Sequence, residues 1–151
     1  MTLEIDFEQL EPGMRFAGEP RTVDGDDVQA FAGLTGDRHP LHTDPHWAAQ
    51  SRFGEQVAHG LLAVSFAVGQ LGFDPERVVA LRGLDDVKFK RPVPFGSELT
   101  VEGEVEDTRE LDDEHGLVTL RLKIKADDRL AVSARVVAVW SRVAAFVPVP
   151  L

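Results

Sequence analysis

Cysteine is absent from the sequence. Disulfides, cysteine-ligated zinc sites and thiol nucleophiles are therefore excluded, although the absence alone fixes no compartment. Nowhere does the chain hold the run of about 18 apolar residues that a membrane-spanning helix needs. Its first eleven residues, MTLEIDFEQLE, carry four acids and no apolar stretch, unlike a secretory signal. These absences together lead to the expectation of a cytoplasmic protein with no membrane partner. Basic residues are few, 16 Lys and Arg against 26 Asp and Glu, for a net charge of −10. That balance opposes nucleic-acid binding, which needs a basic face. It also gives an anionic ligand no long-range attraction, so a local basic cluster would have to hold one. Lys88, Lys90 and Arg91 in DVKFKRPVPFG form the candidate cluster. Lys88 and Lys90 share one face of a strand and Arg91 takes the other, so a solvated strand end is an equal reading.

What remains is an ordinary globular composition, 43% hydrophobic and 28% charged over 151 residues. That length fits one domain, residues 1–151, with a core that needs neither crosslinks nor metal. No repeat, low-complexity segment or linker interrupts it. Helix and loop signals fill the first half and strand signals the second, an α+β order. Asp24 is a candidate N-cap for VDGDDVQAFAGLTG, where Val28, Phe31, Ala32 and Leu34 lie close to one stripe and Gly36 ends the helix. Pro40 disfavours helix at His39. Asp44 and Pro45 read as cap and first residue of a short helix, PHWAAQS. In VAHGLLAVSFAVGQLGF only His59 can carry charge, which predicts a helix buried on all sides.

From Val78 onward the period becomes two. Leu99, Val101 and Val105 alternate with Thr100, Glu102, Glu104 and Glu106; Val118, Leu120, Leu122 and Ile124 alternate with Thr119, Arg121, Lys123 and Lys125. These are antiparallel strands with one wet face, joined by turns at Asp112–Gly116 and Asp127–Asp128. LAVSARVVAVWSR is apolar on both faces, as a central or interfacial strand would be. A long antiparallel sheet and one apolar helix imply a sheet curled around the helix. Its long edges and the apolar faces near residues 130–140 predict a dimer.

Chemistry concentrates in FAGLTGDRHPLHTDPHWAAQSRFGEQVAHG, residues 31–60. Asp37 and His42 stand five apart, a separation of roughly 140° around a helix or about 16 Å along a strand. They can meet only if the chain bends, and Pro40 in a loop after Gly36 suits a bend. The pattern GDxxPLHxDPxxAxxxxF, followed by AHG opening an apolar helix, resembles the MaoC-like (R)-specific enoyl-CoA hydratase family. FKRPVPFGSEL is similar to that family's PVxxGDxL segment, and the match runs from about residue 8 to 140. The resemblance implies a hot-dog fold, a homodimer, no cofactor, and reversible hydration of a trans-2-enoyl thioester to its (R)-3-hydroxyacyl form. The carrier would be coenzyme A or an acyl-carrier protein, its phosphates held by residues among Lys88, Lys90 and Arg91. Such a reaction needs a base for water, an acid for Cα and donors for an enolate oxygen. By resemblance these roles fall to Asp37, His42 and the N–H of Gly60, with base and acid undivided within the pair.

Each residue also has a plainer reading. Asp37 could be an Asx-turn residue, and His59 a hydrogen-bonded histidine beside a helix start that lines the pocket. Ser65 either faces the site or bonds back to a helix carbonyl; His115, in a turn, is expected in solvent. His39 stands where the family usually has asparagine, exchanging an amide for a titratable ring. His39, His42 and His46, interleaved with Asp37 and Asp44, could bind a metal, but the spacing fits no zinc motif and the expectation is none. Two other functions compete. A hot-dog thioesterase would place a carboxylate or polar activating group on the central helix, and residues 60–73 contain no carboxylate. A non-catalytic acyl-binding subunit would have no need of both Asp37 and His42.

Overall fold

Asp24 opens the first helix through a reciprocal capping box: its side chain accepts the Asp27 N–H, and Asp27 accepts the N–H of Asp24. This helix, α1 (Gly25–Thr35), ends at Gly36, whose φ of 79° glycine adopts without steric cost. Val28 and Ala32 are buried and Phe31 half-buried, but Leu34 is 85% exposed. Six residues after Val28, it has rotated off the packed face. The structure, a computed structural model, describes residues 3–142.

Pro40 starts a single turn, α2 (Pro40–Thr43), and Asp44 and Pro45 open α3 (Pro45–Gln50). Asp44 caps α3 by accepting the N–H groups of His46 and Trp47. The apolar segment becomes α4 (Gly60–Gln70). Six strands form one antiparallel sheet: β1 (Arg15–Ala17), β2 (Arg21–Val23), β3 (Val78–Phe89), β4 (Ser97–Glu110), β5 (His115–Ala126) and β6 (Arg129–Ser141). Their order is β1-β4-β5-β6-β3, with β2 also paired to β4.

Inner-face residues Leu99, Val101, Leu120, Leu122, Ile124, Val132 and Val136 form one core with Leu62, Ala63 and Ala67 of α4. The helix lies across β4, β5 and β6. The β5–β6 turn holds Asp127 and Asp128 at φ 48° and 65°, the left-handed pair that a tight hairpin matching strand twist requires. Both His115 and Gly116 belong to β5, so the connection runs over residues 111–114 instead of the expected Asp112–Gly116, and its core is Asp112, which accepts the Glu114 and His115 N–H groups. No helix among the described residues is long and apolar enough to cross a membrane.

Two expectations about burial fail in the same region. Instead of being covered on all sides, α4 turns Leu61, Ser65 and Gly69 away from the sheet, with Leu61 59% exposed. Residues spaced by four make one continuous stripe on a helix. Strand β3 does not alternate either, leaving Val79, Leu81, Leu84 and Phe89 exposed. Among the described residues it is the last strand of the sheet, and α4, which lies across β4, β5 and β6, comes up against it at Phe89.

Candidate active site

Short-range bonds, rather than a core, shape the loop from Thr35 to Thr43. The Thr35 hydroxyl donates to the Phe31 carbonyl (2.7 Å) and accepts the Asp37 N–H (3.2 Å). Asp37 Oδ1 accepts the N–H of His39 at 3.3 Å, an Asx turn, and the Thr43 hydroxyl closes on the Arg38 carbonyl at 3.1 Å. His39 Nδ1 accepts the Leu41 N–H at 3.1 Å and so N-caps α2. An asparagine side-chain oxygen at this position could accept the same bond, so the imidazole replaces a structural amide.

The bend delivers His42 to the far wall. Its Nδ1 lies 2.6 Å from the Val57 carbonyl oxygen. A carbonyl only accepts, so Nδ1 carries the hydrogen and the Nε2 lone pair is free. Val57 is itself held: Gln56 Nε2 donates to the His42 carbonyl (3.0 Å), Ala58 N–H donates to the Val93 carbonyl (2.8 Å), and Val57 bridges Pro94. Burial lowers the His42 pKa below its ordinary value; the Val57 bond opposes this, nearby His59 adds to it, Asp37 opposes it and His39 adds to it. The ring is thus neutral near pH 7. Asp37 keeps a half-exposed carboxylate, and one ligand-type atom each from Asp37, His42 and His59 fall within 4.8 Å of one another.

Above this pair stands the start of α4. Its N-cap, His59, makes no side-chain bond to the first turn. The first intrahelical bonds run from Leu62 and Ala63 to the His59 carbonyl, and among the described hydrogen bonds the N–H groups of Gly60 and Leu61 have no acceptor. Both residues line a cavity of about 410 Å³ together with Asp37, His42 and His59. Its apolar wall includes Phe31, Leu41, Phe53, Phe89, Val93 and Val132. A β-carbon on Gly60 would come within 2.4 Å of the Phe89 ring, so this close approach requires glycine.

The expected residues divide cleanly. Asp37, His42, His59, Gly60, Lys90 and Arg91 border the cavity. Ser65 does not: it lies on the exposed stripe of α4 and its hydroxyl donates to the Leu61 carbonyl at 2.8 Å. His39 caps α2 outside the cavity. Lys88 lies on the other side of the sheet edge, 3.2 Å from Asp86, in a groove that Lys90 shares with Arg121 and Arg135. Because β3 ends at Phe89, Lys90 and Arg91 do not alternate as strand neighbours; both N–H groups bond the Ala131 carbonyl.

The histidine cluster read from the sequence is not assembled, since His39 Nδ1 and Asp44 Oδ1 are occupied as caps. A different trio, Asp37, His42 and His59, is close enough for a metal, but its rings are stacked at 3.8 Å and tilted by only 26°. A Zn–N bond is about 2.0–2.1 Å long and lies in the ring plane. Planes so stacked meet well beyond that distance, so the two histidines do not fit a shared ion. Sequence reasoning missed the Val57 carbonyl and the Leu61 N–H, which as backbone groups leave no residue signature, and the wall residue Phe89.

The sequence pattern of the MaoC like domain matches residues 7–126. The (R)-specific enoyl-CoA hydratase of Aeromonas caviae is 39% identical over 84 residues, 56% of this chain and 63% of that protein. Protein MaoC of Klebsiella aerogenes is 37% identical over 98 residues, 63% of this chain and 29% of that protein. The matched part of the chain therefore spans less than two thirds of these relatives. Among solved structures, an Archaeoglobus protein described as a monoamine oxidase regulatory protein superposes with a TM-score of 0.86 at 35% identity, covering 91% of this chain and 95% of that one. The A. caviae (R)-hydratase gives 0.74 at 33%, covering 87% and 97%. A Mycobacterium tuberculosis protein with a double hot-dog fold gives 0.80 at 22%, over 96% of this chain and 46% of that one, a likeness of fold. With its antiparallel sheet curled around α4, its bent Asp37–His42 loop and most of its length matched, the chain has the hot-dog fold and belongs to the MaoC-like domain family.

Proposed function

We propose that the protein adds water to a trans-2-enoyl thioester, or removes it from the (R)-3-hydroxyacyl form, on coenzyme A or an acyl-carrier protein. One observation carries the reading: a carboxylate and an unprotonated imidazole nitrogen share a largely apolar cavity with two uncapped amides of a helix N-terminus. A water between Asp37 and His42 Nε2 can donate a hydrogen bond to each, turning an oxygen lone pair toward Cβ. As the C–O bond forms, the alkene electrons move onto the thioester oxygen, and the pair takes one water proton. The enolate oxygen is met by the Gly60 and Leu61 N–H groups and the positive end of the α4 dipole. When the enolate collapses, the same pair returns the proton to Cα, so no net proton is gained or lost. Among the described residues Asp37 is the one carboxylate lining the cavity and α4 brings none to it, which disfavours a thioesterase reading.

The carrier's phosphates are assigned to Lys90 and Arg91, because they border the cavity while Lys88 is engaged by Asp86. Crotonyl-CoA hydration, followed as loss of enoyl absorbance, tests the activity. Asp37→Asn keeps size and polarity but removes the charge and most of the basicity, and turnover should fall by about 10² to 10⁴. Near-native turnover in that variant would refute the mechanism. Lys90→Ala should instead raise KM and weaken its dependence on salt; an unchanged KM at both low and high salt returns Lys90 to the solvated surface.

A further inference from the structure

His59 is the most buried ionisable side chain bordering the cavity, 3% exposed, and the reaction above gives it no task. Its Nε2 stands 2.9 Å from the Asp37 carbonyl oxygen. That oxygen only accepts, so Nε2 carries the hydrogen and a neutral ring has a bare Nδ1. Nδ1 is buried without a hydrogen-bond partner among the described residues. A second hydrogen there would be an unsatisfied buried donor on a charged ring. The ring meets Phe31 of α1 at 4.9 Å, tilted by 58°, and stacks on His42 at 3.8 Å. An N-cap side chain ordinarily bonds the first-turn amides of its helix. His59 bonds the catalytic loop instead, which also leaves the amides of Gly60 and Leu61 free.

We propose that His59 is a positioning residue of this site: it anchors the Asp37 peptide to the start of α4 and stacks on His42, holding the acid–base pair in one geometry and covering one face of the His42 ring. The inference rests on the hydration reading for its catalytic meaning. The groups that face His42 come from three directions. Asp37, from the loop before α2, favours a charged ring. His39 on the α2 cap and His59 on the α4 cap disfavour one, and the cationic Lys90 and Arg91 border the same cavity after β3. His59 is the nearest of these in the known ring geometry, and it also shields one face of His42 from water. Because the folded pKa of His42 is lowered, the uncharged form persists below the usual histidine range, and the acid limb of the rate profile lies there. Removing the His59 ring admits water to the covered face of His42. Less burial raises the His42 pKa, so the acid limb moves to higher pH.

Two substitutions separate the two roles. His59→Gln keeps an N–H donor at similar reach but has no ring; His59→Leu keeps neither. NMR titration of His42 in the parent and both variants is the first readout and needs no substrate. His42 should titrate at higher pH in both. In the hydration assay, His59→Gln should retain kcat within about tenfold with its acid limb raised, while His59→Leu should lose about 10²-fold in kcat, since the acid–base pair loses its alignment. KM should change little in either, because the apolar wall is intact. An unchanged His42 titration in both variants overturns the proposal, as does a loss confined to KM, which would make His59 a wall residue. Should His59→Leu not fold, His59→Gln decides alone. A parent inactive on every enoyl thioester would sink the hydration reading, yet the titration would still decide whether His59 governs His42.

Discussion

At Gly60 the first amide of α4 and the ring of Phe89 compete for the same few ångströms. A methyl group there would meet ring carbons at 2.4 and 2.5 Å, but Phe89 is 55% exposed and can swing outward. Gly60→Ala should therefore fold, with the ring displaced and the cavity wall altered. Gly60→Pro adds the same clash and also deletes the N–H. Proline is tolerated at the first helical position, and His59, at φ −59° and ψ 135°, already has the extended backbone that a following proline demands. The difference between the two variants isolates the amide. If the Gly60 N–H meets the enolate oxygen, Pro should lie about 10² to 10³ below Ala in kcat. Equal kcat in the two, with matched thermal stability, would leave Leu61 as the working donor. At this scale the sequence reveals side chains that form a pattern, Asp37 and His42, but not the Val57 carbonyl that sets the His42 tautomer, because every residue carries a carbonyl.

On the outer face of the sheet, four strands are tied through two carboxylates and two arginines. Glu106 of β4 contacts Arg121 of β5 at 2.5 Å and Arg135 of β6 at 2.6 Å, and Arg135 continues to Asp86 of β3 at 2.8 Å. The Arg135 and Arg121 bonds lower the Glu106 pKa from 4.5 to about 2. A carboxyl depressed in the folded state contributes stability above its unfolded pKa and loses it as pH falls through the folded one. Acid should therefore destabilise the sheet progressively between about 4.5 and about 2. Other depressed carboxyls, Asp86 and Glu102 among them, add to that slope. Glu106→Gln should be less stable than the parent at neutral pH and nearer to it at pH 2, as read by urea midpoints. A constant gap across that range would show that the bonds contribute nothing through ionisation. Elements themselves were largely legible, because caps, hairpin turns and alternation are local: Asp24, Asp44, Gly36 and Asp127–Asp128 all act as their residue types imply. Burial was not legible for α4 and β3, since a periodic pattern reports that an apolar face is covered, not by which surface.

That distinction decides the state of the whole molecule. Among the described residues the sheet ends at β3, twelve residues with an open edge of backbone donors and acceptors, which in an isolated chain invites uncontrolled pairing. Leu81 pairs with Ala138, Leu84 with Val136 and Phe89 with Val132, all buried partners on the inner face. The core surface thus continues onto β3, where Leu81 and Leu84 stay exposed. Leu61 is exposed on α4 itself, and Leu61 and Phe89 both border the cavity. A second copy related by a two-fold axis would close the β3 edge against its own equivalent and cover these side chains with one self-complementary patch. The site and the interface would then share a wall, so separating the copies should open the cavity to water. Light scattering at micromolar concentration should give the mass of two chains. Leu81→Asp with Leu84→Asp places four carboxylates across that axis and should give single chains that retain their sheet by circular dichroism but lose most hydration activity. A parent that scatters as one chain, or separated chains with full turnover, would show that each protomer closes its own cavity.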